Sequence, residues 1–174
     1  LAGESLHSVL VQEWNRYAPK DSVLWNMYGP TETIHVTANR IEHHKMCSLP
    51  PQVPLGSPIP GVRLELANND GDFLSGPSIG EIHIGGAAVS EGYIDHSETS
   101  AMEFYKRIVF NDEELGRWYC TGDIAERKPD GTLIFKGRKD DQIKIGGQRI
   151  HLSELENAAL SLTDVIQAAA VFDE

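Results

Sequence analysis

Residues 25–33 read Trp25-Asn26-Met27-Tyr28-Gly29-Pro30-Thr31-Glu32-Thr33, a stretch that combines an aromatic ring, a tight turn, a hydroxyl and a carboxylate. This combination suits a bound nucleotide. Tyr28 offers a flat ring to a purine, and Gly29-Pro30 forces the backbone to reverse. Thr31 can donate to a phosphate oxygen, and Glu32 is a hard oxygen ligand suited to magnesium. The alternative is a turn in which Thr31 caps a helix and Glu32 lies in its first turn.

Two further motifs follow in a fixed order. The first is Trp118-Tyr119-Cys120-Thr121-Gly122-Asp123, and the second is Gly137-Arg138-Lys139-Asp140-Asp141-Gln142-Ile143-Lys144-Ile145-Gly146-Gly147-Gln148-Arg149-Ile150. With these motifs the chain resembles the adenylate-forming enzymes, and most closely the amino-acid-activating adenylation domains of nonribosomal peptide synthetases. The intermediate stretches 54–61 and 80–93 agree with the same family, so the resemblance covers essentially the whole chain.

The resemblance implies a mixed α/β fold with an antiparallel β region. Residues 1–137 correspond to the C-terminal portion of the large adenylate-forming core domain. Residues 138–141 correspond to a hinge centred on Asp140, and residues 142–174 to the start of a small, mobile α+β subdomain. We therefore expect a domain boundary just after Gly137.

The resemblance also assigns roles to individual residues. Asp123 would accept both ribose hydroxyls, with Arg138 on the ribose and phosphate side, and Glu32 would hold Mg²⁺. The bound nucleotide would be ATP or AMP. Thr31 and Glu32 would be catalytic. The residues in contact with the nucleotide would be Asn26, Tyr28, Gly29, Thr31, Asp123 and Arg138. The residues alone leave alternatives open: Asp123 as a turn residue that satisfies backbone amides, and Arg138 in a surface ion pair with Asp140 or Asp141.

The implied activity is that of a ligase with two steps. An amino acid is activated as its adenylate, and a rotation about the hinge then lets the phosphopantetheine thiol of a carrier protein attack it. Gly147 would line the pantetheine tunnel. The partners would be that carrier protein and neighbouring synthetase modules of secondary metabolism. A ligase for D-alanine, an aryl acid or a fatty acid is an alternative, as is a non-catalytic scaffold domain.

Part of the substrate pocket falls within the chain. Ala2, Met27, His35 and Val36 align with family positions that line the side-chain pocket, although His35 can equally be a packed loop residue. The family aspartate that grips the substrate amino group would precede Leu1. The identity of the activated acid is therefore left open.

The chain departs from the family pattern in several places, and the two missing motifs weigh more than the substitutions. Ser90-Glu91 stand where relatives carry Ala-Arg, Gly146 replaces an arginine and His151 a glutamate. The phosphate-binding loop and the C-terminal lysine of the family have no counterpart in these 174 residues. We therefore expect a chain cut at both ends that is inactive alone.

Composition narrows the class of protein. The formal net charge of −11 argues against nucleic acid or an anionic membrane surface as a partner. No apolar run reaches membrane-spanning length and no signal segment begins the chain, so we expect a cytoplasmic protein. Cys47 and Cys120 lack metal-ligand spacing and are interpreted as free thiols, Cys120 on a buried strand.

Hydrophobic periodicity predicts the local elements. We expect an amphipathic helix over 5–17 with Leu6, Val9, Leu10, Trp14 and Tyr17 inward, a buried strand over 23–25 and a solvated loop over 43–46. The His pair in that loop is a weak metal candidate, since adjacent side chains on an extended segment point to opposite faces. Further along, we predict strands at 37–41, 62–66, 80–84, 118–120, 124–125, 132–135 and 165–172, and a helix at 97–105. We also predict a turn at 69–72 and a hairpin turn at Gly146-Gly147. A capping box at 153–156 should begin a helix with Leu155, Ala159 and Leu162 inward.

Overall fold

The computed structural model describes residues 2–92, 104–108, 114–140, 142–145 and 148–171. The chain forms two compact units, Leu1–Gly137 and Arg138–Glu174. Helices and antiparallel strands are mixed along the sequence, as expected. Among the described residues, no helix has both the length and the apolar content that a membrane crossing requires.

A three-stranded sheet opens the first unit. Helix α1 (Ser8–Asn15) is followed by β1 (Val23–Tyr28), β2 (Thr37–Glu42), a 3₁₀ helix (His43–Ser48) and the short β3 (Ser57–Pro58). The three strands pair antiparallel in the order β1-β2-β3, with Tyr28 opposite Thr37. The loop between β1 and β2 therefore carries Gly29-Pro30-Thr31-Glu32, the turn that the sequence singled out.

A larger sheet completes this unit. It contains β4 (Val62–Ala67), β5 (Ser78–Gly86), β6 (Phe104–Ile108), β7 (Glu114–Arg127) and β8 (Leu133–Arg138). The order is β4-β5-β7-β6, antiparallel throughout, and β8 also pairs with β7. The predicted antiparallel pairing of the 62–66 segment with the 80–84 segment is confirmed, with a register that sets 62–67 opposite 81–86. The turn expected at 69–72 is also present, since the Asn68 side chain accepts the amides of Asp70 and Asp72.

The core of this unit joins the two sheets. One buried cluster takes residues from β1, β4, β5, β7 and β8 and from the segments just before β2 and β3, namely Tyr28, Val36, Leu55, Leu66, Ile82, Ile84, Ala125 and Leu133. A second cluster lies under α1 and consists of Leu6, Val11, Ile41, Met46 and Val53. Burial of these apolar side chains is the main favourable contribution to folding. Tyr28 is therefore held in place by packing against the core residues of the larger sheet.

We expect Ile84→Val to lower the free energy of unfolding by about 1 kcal/mol, because it removes one methylene from a fully buried site. The matched control is Ile79→Val on the same strand, where the side chain is 60% exposed and the expected change is close to zero. Equilibrium urea denaturation measures both. Equal losses at the two positions would contradict the assignment of the inner face of β5.

The second unit is a hairpin followed by a helix. Strand β9 (Gln142–Ile145) pairs antiparallel with β10 (Gln148–His151), and α2 (Leu152–Leu160) begins directly afterwards. The pairing agrees with the predicted hairpin. Gly146-Gly147, the predicted turn, lies outside the described residues.

Three predictions about burial and local structure in the first unit are wrong. The helix is shorter than 5–17, and of its expected inward stripe only Leu6 is buried, whereas Val9, Leu10, Trp14 and Tyr17 are exposed. Val11 makes the buried contact instead, since periodicity predicts a helix but not which face packs. Strand β1 runs on to Tyr28, with Val23 and Trp25 exposed rather than buried. The segment 43–46 is part of a 3₁₀ helix because Met46 is completely buried in the second cluster.

Two predictions concerning the larger sheet also need correction. The helix expected at 97–105 falls largely outside the described residues, but Phe104 and Tyr105 belong to β6, where pairing with β7 overrides the local preference. The two strands expected near 118–120 and 124–125 are one strand, β7. Asp123, for which a turn was the alternative interpretation, therefore lies inside a strand, where the preceding Gly122 adopts φ 72° within a bulge.

In the second unit the helix begins before the predicted capping box, so Ser153 is not its N-cap. Helix α2 is capped at His151, whose side chain makes no capping hydrogen bond, because β10 runs into the helix without a loop. Leu155 and Leu162, expected to face inward, are exposed. The strand expected at 165–172 is not found over 165–171, where the backbone is irregular and Ile166 and Val171 are exposed. A β-rich run forms a strand only beside a partner strand, and none of the described strands pairs with it.

Candidate functional site

The loop between β1 and β2 is a hydrogen-bonded turn. The Thr33 amide donates to the Pro30 carbonyl at 3.1 Å, and the Val36 amide donates to the Tyr28 carbonyl at 2.8 Å. Thr31 is exposed, and residues 31–34 form a turn and bend rather than a helix. The helix-capping interpretation of Thr31 is therefore wrong.

Two backbone features make this loop unusual. A Cβ on Gly29 would lie 1.7 Å from the Ile34 carbonyl oxygen, so only glycine fits where the two arms of the loop meet. Ile34 adopts φ 58°, which a β-branched residue rarely does. Strained residues of this kind persist where the surrounding structure determines them, and they cluster at functional sites.

Tyr28 and Asp123 come together at the end of β1. The Tyr28 hydroxyl donates to Asp123 Oδ2 at 2.6 Å, although the residues are 95 positions apart. Both side chains are buried. An O–H donor on a carboxylate at this distance is a short, charge-assisted hydrogen bond. Two of the three sequence motifs thus meet at one pair of side chains.

A bulge in β7 sets the position of Asp123. Glu81 pairs with Ile124 and His83 with Cys120, so β7 accommodates two more residues than β5 between these pairs. The Thr121 hydroxyl donates to the Ile82 carbonyl at 2.8 Å and accepts the Asp123 amide at 3.0 Å, while Glu81 Oε1 accepts the Gly122 amide at 2.9 Å. Bulges often re-aim a side chain beside an active site.

Sequence reasoning missed Thr121 and Glu81 as supports of Asp123. Thr121 is completely enclosed by the sheet, and Glu81 is nearly so. The available signal was a glycine inside an otherwise strand-forming run, which commonly marks a bulge. The partner of that glycine, on another strand, could not be found from local sequence.

Glu32 lies four residues beyond Tyr28 and is largely buried. Its carbonyl oxygen accepts the Ser90 amide at 2.9 Å, which ties the loop to the segment that follows β5. A magnesium ion on a nucleotide needs only one or two protein carboxylates, because phosphate oxygens and waters complete its coordination. The described residues place no cluster of three His, Cys, Asp or Glu ligands around Glu32.

The other residues predicted to contact the nucleotide or the substrate differ in how deeply they are buried. Asn26 is buried and donates from Nδ2 to the Pro54 carbonyl at 2.8 Å, so its side chain holds the neighbouring loop. Of the four expected pocket residues, Val36 is part of the core, Met27 is half-buried, and His35 and Ala2 are exposed.

In the second unit Arg138 forms a two-pronged ion pair with Asp140. Arg138 Nε lies 2.8 Å from Asp140 Oδ1, and Nη2 lies 2.6 Å from Oδ2. Burial works to raise the pKa of Asp140, but the hydrogen bond and positive charge of Arg138 outweigh it and hold the pKa below its ordinary value. The ion pair that the sequence left open is therefore present. Asp141, its other possible partner, and Gly147 lie outside the described residues.

We expect Arg138→Gln to raise the pKa of Asp140, because it removes the hydrogen bond and the positive charge that most strongly oppose the effect of burial and leaves only the weaker contributions of the Gln142 amide and His151. In the native protein this pairing stabilises above the unfolded-state pKa, and the contribution is lost as pH falls through the lower folded-state pKa. A carbon-detected NMR titration of the carboxyl groups measures the pKa of Asp140. Lys128→Gln is the control, since it should move the pKa of Glu126 and leave that of Asp140 unchanged. An unmoved Asp140 in Arg138→Gln would contradict the prediction.

Comparison with known proteins places this geometry in context. The AMP-binding enzyme family matches residues 1–94. The chain is 36% identical to gramicidin S synthase 2 of Brevibacillus brevis over 171 residues, covering 98% of this chain and 4% of that protein.

Two solved structures are similar over nearly the whole chain. PA1221, an NRPS protein containing adenylation and PCP domains, superposes with a TM-score of 0.86 at 27% identity, covering 99% of this chain and 34% of that one. The Vibrio cholerae adenylation domain AlmE, in complex with glycyl-adenosine-5'-phosphate, gives a TM-score of 0.78 at 29% identity, covering 97% and 31%. The expected mixed α/β fold class is confirmed. The chain spans about a third or less of the length of each of these relatives.

Proposed function

The chain belongs to the AMP-binding enzyme family, and from this we propose that it contributes the ribose-binding and hinge segments of an amino-acid-activating adenylation domain of the nonribosomal peptide synthetase type. The proposed enzyme is a ligase that activates an amino acid with ATP and transfers it to a carrier protein. The observation that carries the proposal is the contact between the Tyr28 hydroxyl and the Asp123 carboxylate. It brings an aromatic ring and a bidentate acceptor to one place, as a base and its ribose require.

The first proposed step forms an aminoacyl-adenylate. A carboxylate oxygen of the amino acid attacks the α-phosphorus of ATP, and the bond from that phosphorus to the β-phosphate oxygen breaks, releasing pyrophosphate. The protein lowers the barrier by positioning the reactants and stabilising charge rather than by covalent catalysis. In the second step a phosphopantetheine thiol loses its proton and attacks the carbonyl carbon, which releases AMP and leaves a thioester.

Each residue of the site has a proposed part in nucleotide binding. Asp123 Oδ2 already accepts the Tyr28 hydroxyl, and an ionised carboxylate retains further lone pairs for the ribose hydroxyls. The Tyr28 ring would lie against the adenine, and exposed Thr31 would contact the α-phosphate. Magnesium, when bound at Glu32, would neutralise phosphate charge.

The small unit supplies the proposed conformational change. The boundary between the two compact units falls between Gly137 and Arg138, beside the proposed hinge at 138–141. The Arg138–Asp140 ion pair lies in this segment, and we propose that Arg138 exchanges Asp140 for the nucleotide during the adenylation step. We also propose that Gly147 lines the pantetheine tunnel.

The substrate class is also part of the proposal. The relative AlmE was solved with glycyl-adenosine-5'-phosphate, and PA1221 contains adenylation and PCP domains. These relatives support an amino acid as the substrate and a carrier protein as the partner. Neighbouring synthetase modules and a cytoplasmic location, where ATP is available, complete the proposal. Ala2, Met27, His35 and Val36 remain the proposed pocket residues.

The decisive experiment is ATP–pyrophosphate exchange by the natural, full-length protein in the presence of single amino acids. We expect exchange that depends on one amino acid or a few related ones, and none from the 174-residue chain alone. Exchange that requires D-alanine, an aryl acid or a fatty acid instead would replace the substrate class. Absence of any nucleotide binding by the natural protein would favour the scaffold interpretation and refute the enzyme.

A further inference from the structure

A second cluster of reactive side chains lies on the larger sheet, on strands β5 and β7. Glu81 and His83 alternate along β5 and therefore project from the same face. Cys120 lies directly opposite His83 in the antiparallel register. One carboxylate oxygen, one imidazole nitrogen and the thiol sulfur all lie within 4.8 Å of one another.

This cluster is enclosed by the protein. Glu81 is 9% exposed and His83 is 3% exposed, while Cys120 is half-buried. The ring of Phe73 meets His83 edge-on at 6.0 Å and also packs against Trp118 at 4.8 Å, which provides an apolar wall on the same side of the sheet. An apolar shell limits water access to such a site and strengthens its electrostatic interactions.

We propose that Glu81, His83 and Cys120 bind a zinc ion. Carboxylate oxygen, imidazole nitrogen and thiolate sulfur are the three donor types that zinc takes in proteins. In a tetrahedral zinc site with bonds of roughly 2.0 to 2.3 Å, ligand atoms lie about 3.3 to 3.8 Å apart. Glu81 Oε2 and His83 Nε2 are already 3.8 Å apart, so only small side-chain movements are needed.

Charge and orientation agree with this assignment. A carboxylate and a thiolate together balance the two positive charges of zinc, so the occupied site is neutral overall, as a buried site requires. The Gly122 amide holds Glu81 Oε1 at 2.9 Å and turns Oε2 toward His83. Hydrogen bonds of this kind to a ligating carboxylate orient it for the metal. The Cys120 proton is released to solvent on binding, so affinity rises with pH.

The site lies on the bulge that positions Asp123. Zinc would join β5 to β7 at the point where the register shifts, three residues before Asp123. With three protein ligands, a water would complete the tetrahedron, and the bound ion would link the two strands beside the proposed nucleotide site. The proposal does not depend on the proposed function, because metal binding can be measured without ATP or amino acid.

The proposal is tested with two metals on the intact protein, after any bound metal has been removed with a chelator. Zinc content is measured by competition with a chromophoric chelator, and Co²⁺ is added separately because cobalt–thiolate bonds absorb in the near ultraviolet. We expect Cys120→Ser to bind one zinc equivalent fewer than the native protein and to lose a cobalt–thiolate band. We expect His83→Gln to weaken zinc binding by about 10- to 100-fold or more. Cys47→Ser, which removes the exposed thiol, is the matched control and should change neither value.

A measurement on the native protein covers the case in which the variants misfold. Alkylation followed by peptide mass spectrometry should show zinc protecting Cys120 and leaving Cys47 reactive. Equal reactivity of Cys120 with and without zinc would overturn the proposal, as would zinc binding that Cys47→Ser abolishes and Cys120→Ser does not.

Discussion

Replacement of Asp123 by alanine is expected to lower amino-acid-dependent ATP–pyrophosphate exchange of the full-length protein by at least about 100-fold. The variant removes the carboxylate that we propose accepts two ribose hydroxyls. Hydrogen bonds to a charged group contribute roughly 1.5 to 3 kcal/mol each, so losing two costs at least about 3 kcal/mol. Every 1.4 kcal/mol corresponds to about tenfold. Nucleotide affinity, measured by isothermal titration calorimetry, should fall in parallel with exchange.

Three variants distinguish this role from a structural one. Asp123→Asn keeps an acceptor for the Tyr28 hydroxyl but removes the charge, so it should fold normally and still bind nucleotide poorly. Tyr28→Phe removes the 2.6 Å hydrogen bond while keeping the ring, and we expect a loss of only several-fold. Asp130→Ala removes an exposed turn carboxylate that accepts the Thr132 amide, and exchange should be unchanged. Native exchange in Asp123→Asn would remove the basis of the proposed nucleotide site.

Gly29→Ala is expected to destabilise the chain by roughly 3 kcal/mol or more and to abolish nucleotide binding. The added Cβ would lie 1.7 Å from the Ile34 carbonyl oxygen and 2.9 Å from His35 Cα, and both are backbone atoms that no rotamer change can move. The two arms of the loop must therefore separate, which breaks the hydrogen bond from Val36 to Tyr28. Thermal unfolding and nucleotide titration measure the two consequences.

The control for this prediction is Gly131→Ala. Gly131 has φ 84°, so alanine there incurs conformational strain, but a Cβ would meet no atom within 4 Å. We expect a loss of about 1 kcal/mol and unaltered nucleotide binding. If the two variants were equally stable, the close approach at Gly29 would not be the reason that glycine is required there.

Sequence patterns predicted strand pairing better than they predicted burial. Alternation along 62–66, the turn before β5 and the hairpin of the second unit were all found, because side-chain period and turn chemistry are local properties. The prediction of the inward face of α1 was wrong, because the packed face is determined by contacts with Met46 and Val53, which lie much later in the chain. The same limit applies to α2, where Leu155 is exposed.

The candidate site shows the same division. Tyr28, Asp123 and Glu32 were selected from their chemistry and from a family resemblance, but the hydrogen bond between Tyr28 and Asp123 depends on the packing of two sheets. Glu81 and Thr121 escaped notice because their importance arises from the amides and carbonyls that they meet across β5 and β7. A thiol without metal-ligand spacing in sequence, Cys120, acquires its neighbours only through strand register.

The two extra residues of β7 also govern how the strand tolerates changes in length. Side chains alternate between the faces of a sheet, so deleting a single residue such as Gly122 would turn everything that follows onto the wrong side. Ala125, now wholly enclosed, would then point outward, and the charged neighbour Glu126 would point into the apolar interior. We therefore expect viable natural variation here to preserve the residue count between Cys120 and Ile124, even where the identities of those residues drift.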